Sequence, residues 1–104
     1  MVKPMLEKPI ERRLCETAKL RGMEAYKFSS PSHAAVPDRI LLAEIPEFLR
    51  PVIAQYIRFV ETKRTGGKPT APQEREHARL RRLGFVVEVV DSVESGRRVV
   101  GEMG

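Results

Sequence analysis

An α/β domain of order α-β-β-β-α-β, a mixed sheet flanked by helices, is the fold class the sequence predicts, and three observations predict it. One segment carries apolar residues at helical spacing and ends on Gly22, and a second opens on a helix-start box at Thr70 and ends on Gly84. Apolar, β-branched runs lie between and after them; residues 85–90 are continuously apolar except for Glu88, as in a buried strand. The chain has 104 residues, enough for one compact domain with a modest core and too few for two ordinary ones.

The first helix is expected over residues 9–21, on Ile10, Leu14 and Ala18, with Leu6 one turn upstream and Gly22 as the stop. MEAYKFSS alternates as a short strand, SSPSHAAVP is a loop by its serines and prolines, and DRILLAEI is a second strand. Pro46 and Pro51 bracket EFLR, a turn or a single helical turn. From Val52 the run VIAQYIRFVETK reads as a longer strand, paired with the second in an extended hairpin. Thr70-Ala-Pro-Gln73 has the form of a helix-start box with Pro72 in the first turn, so a second helix should run to Leu83 and stop at Gly84. In the tail, VESGRR suggests a turn and RRVVGEMG a frayed end or short edge strand.

The N-terminal MVKPMLEKPIERR is interrupted by charges and prolines, unlike a signal peptide, and no apolar run approaches the roughly 20 residues that span a bilayer. A soluble, intracellular (cytoplasmic) protein with no membrane partner is the expectation. A lone cysteine, Cys15, lies in the helical pattern and reads as a packing residue in a reducing compartment. The net charge is +5, and residues 58–82 hold eight basic against three acidic side chains, so the whole excess lies there. Such a surface suits a polyanion, although a solubilising charged helix has the same composition.

The segment FVETKRTGGKPT places a carboxylate and an ammonium two residues apart on an extended chain. Side chains alternate there, so Glu61 and Lys63 share one face and Val60 and Thr62 the other. Asp38 follows Pro37 at the start of a strand, held at a rigid loop-to-strand junction; alone, Pro-Asp is a common turn pair. Carboxylates projecting from two neighbouring strands make an oxygen-rich site suited to Mg²⁺, and Lys63 can reach the same point. Such a trio can activate a water and balance charge on a phosphate, which points to phosphodiester hydrolysis.

Pro37-Asp38 followed by Glu61-Thr62-Lys63 resembles the PD-(D/E)xK nuclease motif. With GMEAYKF, VPDRI, FVETK, GGKPTAPQ, EHARLRRLGF and VVDS in this order, roughly residues 7–92 resemble the VRR-NUC family, the virus-type replication-repair nucleases. The resemblance implies one VRR-NUC-like domain over residues 1–104, a restriction-endonuclease-like core, Mg²⁺ or Mn²⁺ dependence and cleavage of DNA. It implies Asp38, Glu61 and Lys63 as catalytic residues, a helix-one glutamate assigned to Glu11 with Glu7 as competitor, and the Thr62 carbonyl completing the metal shell. Glu11 can also be read as an N-terminal dipole partner behind Pro9. Gln73 matches a family glutamine that supports the site or contacts substrate, compatible with its place in the capping box. His77, one turn on, reads as packing, and Lys27 matches a basic residue that can point to phosphate or to solvent.

Two departures stand out. Asp38 and Glu61 are separated by 22 residues, so an apolar insert at about residues 43–55 is expected in the hairpin between strands two and three. Ala34-Ala35 stands where many relatives have glycine.

Arg75, Arg79 and Arg82, at i, i+4 and i+7, form a basic stripe which with Arg64 and Lys68 can follow a phosphate backbone without reading sequence. Paired nicks in a four-way junction need two active sites related by symmetry, and small stand-alone family members resemble junction resolvases that act as dimers. The expectation is therefore a phage-encoded, structure-selective endonuclease acting as a homodimer on branched DNA such as Holliday junctions, in replication or repair. The insert or the helix faces are candidate interfaces. The alternative is a DNA-binding module that keeps the fold without catalysis; an RNA-holding structural protein would want an aromatic platform that the sequence lacks.

Overall fold

A computed structural model describes residues 4–104, which divide into two compact units, one ending at Glu44 and the other beginning at Ile45. Both are mixed α/β.

In the first unit, helix α1 (Glu7–Leu20) leads to strand β1 (Glu24–Lys27), which pairs antiparallel with strand β2 (Arg39–Leu42), Glu24 opposite Leu42 and Lys27 opposite Arg39. The helix starts two residues earlier than the spacing of its apolar residues predicts. It stops where expected: Gly22 adopts φ +76°, and the Gly22 and Met23 amides donate to the Lys19 and Ala18 carbonyls. Ala18 and Leu42 are the buried apolar residues of this unit, and α1 packs against β1. The strand expected over 38–45 is thus shorter, and its partner is β1.

Ala35, in the loop before Asp38, takes φ +64°, a left-handed backbone that costs alanine about 1 kcal/mol relative to glycine. Glycine also loses more entropy on folding, which offsets part of that gain. Ala35→Gly is therefore expected to leave the melting temperature unchanged or slightly raised in a thermal scan; a clear loss would contradict the strain.

The second unit begins with a 3₁₀ turn at Glu47–Leu49 that runs into the short helix α2 (Arg50–Ile53). Strand β3 (Phe59–Thr62) follows, then helix α3 (Ala71–Arg82), strand β4 (Val87–Val90) and helix α4 (Val93–Gly101). β3 and β4 are parallel, Phe59 opposite Val87 and Thr62 opposite Val90, with α3 as the crossover. Side-chain alternation puts Phe59, Glu61 and Val87 on the face that α3 covers. Val90 lies on the opposite face, beside Gly96 of α4. The core gathers Ile45, Leu80, Leu83, Phe85, Val87 and Val99, with Phe59 edge-on to Phe85 at 5.6 Å between ring centroids.

Two expectations are corrected here. Residues 52–58 are not strand: Pro46 caps the 3₁₀ turn, Pro51 sits in the first turn of α2, and the amides of Ala54, Gln55, Tyr56 and Ile57 donate to carbonyls three or four residues back. The insert at 43–55 is thus largely helical, and no extended hairpin joins β2 to β3: the described strands form two two-stranded sheets, β1–β2 and β3–β4. The tail is not a frayed end either. Ser92 caps α4 by accepting from the Ser95 amide at 3.0 Å, and Val99, 3% exposed, anchors the helix. Arg58, whose side chain is 9% exposed, ties α4 to β4 by donating to Glu102 at 2.7 Å beside Glu88 at 3.6 Å. The Arg58 hydrogen bond holds the Glu102 carboxyl below the usual carboxylate range.

No helix among the described residues is long and apolar enough to cross a membrane.

Candidate active site

Glu61 stands on β3, facing α3, and the sequence of α3 explains how it is held. The Thr70 hydroxyl accepts from the Gln73 amide at 3.3 Å, while Gln73 Oε1 accepts from the Thr70 amide at 2.9 Å, completing the capping box. An amide side chain whose oxygen is committed to a backbone N–H presents its nitrogen elsewhere. Gln73 Nε2 donates to Glu61 Oε2 at 3.3 Å. One turn along, His77 is 6% exposed, and its Nε2 lies 3.2 Å from Glu61 Oε1. Both carboxylate oxygens are therefore engaged from a single face of α3. A cleft of about 410 Å³ opens beside them, lined by Phe59, Val60, Glu61, Gln73, His77 and Leu80 among others.

Lys63 follows β3, and its amide donates to the Val90 carbonyl at 2.9 Å, which extends the ladder by one residue. Alternation carries its side chain to the Glu61 face, and no hydrogen bond or ion pair engages its ammonium among the described residues. Thr62 points the other way. In this parallel register Phe59, Glu61 and Lys63 exchange backbone bonds with β4, so the Thr62 carbonyl is left on the opposite edge, outside that ladder. The glycine loop after Lys63 is fixed by Asp91: its carboxylate accepts from the Gly66 amide and its carbonyl from the Thr65 hydroxyl, both at 3.1 Å.

The first unit carries the other acidic residues that the sequence singles out, Glu7, Glu11 and Asp38. They line one cleft of about 370 Å³ together with Arg39. Arg39 Nε donates to Glu11 Oε2 at 2.6 Å, and this bond, above all, holds the guanidinium pKa above its usual value. One Glu11 oxygen is thus committed to an arginine, a competitor that the spacing of the sequence does not reveal. The Asp38 carbonyl accepts from the Phe28 amide at 2.8 Å and prolongs the β1–β2 ladder, while its carboxylate is exposed. Lys27 closes β1 with an exposed side chain.

Arg64, Lys68, Arg75, Arg79 and Arg82 are all exposed, and the three on α3 form the expected stripe. Arg79 donates to Glu76 at 2.6 Å, so part of the stripe is surface pairing. The structure therefore brings Glu61 to Gln73 and places Glu11 beside Asp38, while Lys63 follows the last paired residue of β3 and is assigned to the Glu61 face by strand alternation.

Sequence reasoning gave His77 to packing and passed over Asp91. The i+4 spacing of His77 from Gln73 was the available signal for the first.

No family model and no solved structure matches the chain. A phage protein does: "Putative nuclease p44" of Acyrthosiphon pisum secondary endosymbiont phage 1 is 42% identical over 86 residues, which cover 83% of this chain and 83% of the phage protein. The chain belongs to the family of that phage protein. Its kinship extends over most of both chains.

Proposed function

We propose that the chain is a phage-type nuclease of the VRR-NUC kind, a metal-dependent endodeoxyribonuclease in which residues 1–104 act as one restriction-endonuclease-like domain. The observation that carries the reading is the Glu61 carboxylate, held at both oxygens by α3 and followed on the same strand face by Lys63. Kinship with a phage protein named as a nuclease supports it.

The donor chemistry suits Mg²⁺ or Mn²⁺. A carboxylate offers about four lone-pair positions, and Glu61 gives two to Gln73 and His77. Thr62 leaves a carbonyl outside the β3–β4 ladder. No three of His, Cys, Asp or Glu are gathered into a cation cage among the described residues; Mg²⁺ keeps several waters and asks for only one or two carboxylates. On the sequence motif, Asp38, Glu61, Thr62 and Glu11 are assigned to the metal. When bound, the ion supplies an activated water and neutralises charge on the scissile phosphate. Lys63 brings a compact ammonium to that phosphate, Gln73 fixes the Glu61 carboxylate, and Lys27, Arg64, Lys68, Arg75, Arg79 and Arg82 hold the backbone.

Branched DNA such as a four-way junction is the proposed substrate and a homodimer the acting form. Phe48 is 79% and Tyr56 70% exposed, with Leu49, Val52 and Ile57 exposed nearby in sequence, an apolar surface fit for a second copy.

The test incubates the protein with labelled four-way junctions, flaps, hairpins and linear duplex in Mg²⁺, Mn²⁺ or chelator. Cleavage of junctions with either metal and none in chelator is expected. DNA binding without cleavage, together with a melting temperature that ignores both metals, would favour a non-catalytic binding module instead.

A further inference from the structure

We infer that His77 is a positioning residue: its Nε2–H donates to Glu61 Oε1 and, with Gln73 on Oε2, fixes the plane of the carboxylate. The inference rests on the nuclease reading of Glu61 and adds a residue to it. A carboxylate can only accept, so a hydrogen bond at 3.2 Å requires the proton on Nε2 of the imidazole. Burial makes that bond necessary, because His77 is 6% exposed and a buried polar group without a partner is costly.

Packing alone does not account for the site. An apolar residue would fill the same volume between β3 and α3, yet the chain puts a donor there, opposite the strand carboxylate. Gln73 and His77 stand four residues apart on one helix face, so the two donors meet the two carboxylate oxygens from the same side. A carboxylate held at two points cannot swing about its terminal torsion, and its free lone pairs keep one direction. Side chains that orient a ligating carboxylate in this way typically affect metal affinity or activity by roughly 10–100-fold.

The test has two arms. In the first, ¹⁵N-labelled protein without metal or DNA is examined by long-range imidazole ¹H–¹⁵N correlation at a single pH of about 8, above the ordinary histidine range. His77 Nε2 is expected to resonate as a protonated nitrogen in the parent and to lose that preference in Glu61→Ala. An Nδ1–H tautomer in the parent overturns the inference whatever the protein cleaves. In the second arm, His77→Phe keeps an apolar filling and removes the donor. Its single-turnover cleavage rate is expected to fall roughly 10–100-fold, with DNA affinity measured in chelator unchanged. His77→Gln, which can offer an N–H again, should recover part of the loss.

A His77→Phe protein that cuts at the parent rate overturns the inference; if it does not fold, His77→Leu takes its place. A parent that cuts no DNA defeats the nuclease reading, while the tautomer still decides the role of His77.

Discussion

Lys63→Ala is expected to bind junction DNA with nearly the parent affinity and to lose cleavage, by at least about 10²–10³-fold in a single-turnover assay. The size follows from the proposed place of the ammonium, at the scissile phosphate. A charge aimed at the scissile phosphate works mostly in the transition state, so its removal lowers the rate and leaves the ground-state complex almost intact. Stability should hardly change, because Lys63 contributes a backbone bond to Val90 and no side-chain bond to the fold. Lys63→Arg should not restore the rate, since a planar fork cannot replace a compact point charge. The exposed arginines of α3 behave oppositely. Arg75→Ala should leave the chemical step intact, weaken binding alike across DNA sequences, and flatten its salt dependence by about one counterion. If Lys63→Ala cuts as fast as the parent, the site has been assigned to the wrong residues.

What could be read in advance divides along the range of the interactions. Helix α3 was legible at both ends, because a capping box and a glycine stop are local chemistry: Thr70, Gln73 and Gly84 need only their own neighbours. The pairing of Glu61 with Lys63 was legible for the same reason, as alternation belongs to any strand. Residues 52–58 were misread because VIAQYIRF carries β-branched residues that suit a strand. Yet Val52 and Tyr56, like Ile53 and Ile57, also repeat at helical spacing, and Pro46 with Pro51 tips the balance toward helix. Helix α4 was missed because a nine-residue segment with Gly96 in its interior has little intrinsic helicity; burial of Val99 and the Arg58 bridge to Glu102 hold it.

Contacts between elements were the least visible. His77 meets Glu61 across 16 positions of sequence, and Arg39 meets Glu11 across 28. No local pattern announces either, and both engage a carboxylate that the motif alone would leave open to a metal.

Gly84→Ala is expected to cost the fold heavily for an exchange of one methyl group, about 2–3 kcal/mol in urea unfolding. Two penalties combine there. The backbone sits at φ +102°, beyond the left-handed well that an alanine can reach at modest cost. A Cβ would also fall on Arg50, 2.9 Å from Cδ and 3.0 Å from Cζ. Arg50 is not free to step aside, because its Nε donates to the Ile45 carbonyl at 2.9 Å while the Ile45 amide donates to Leu83 at 2.8 Å. The same contacts tie the segment before β3 to the end of α3, so displacing Arg50 loosens the connection that carries Ile45 into the core. Gly66 supplies the control: it has φ +79° and open space around it, so Gly66→Ala should cost only the backbone part, about 1 kcal/mol. In an Arg50→Ala background the penalty of Gly84→Ala should shrink toward that of Gly66→Ala, a coupling that a double-mutant cycle measures directly. Equal penalties at the two glycines in the parent would show that the arginine contact contributes nothing and that strain alone fixes the helix end.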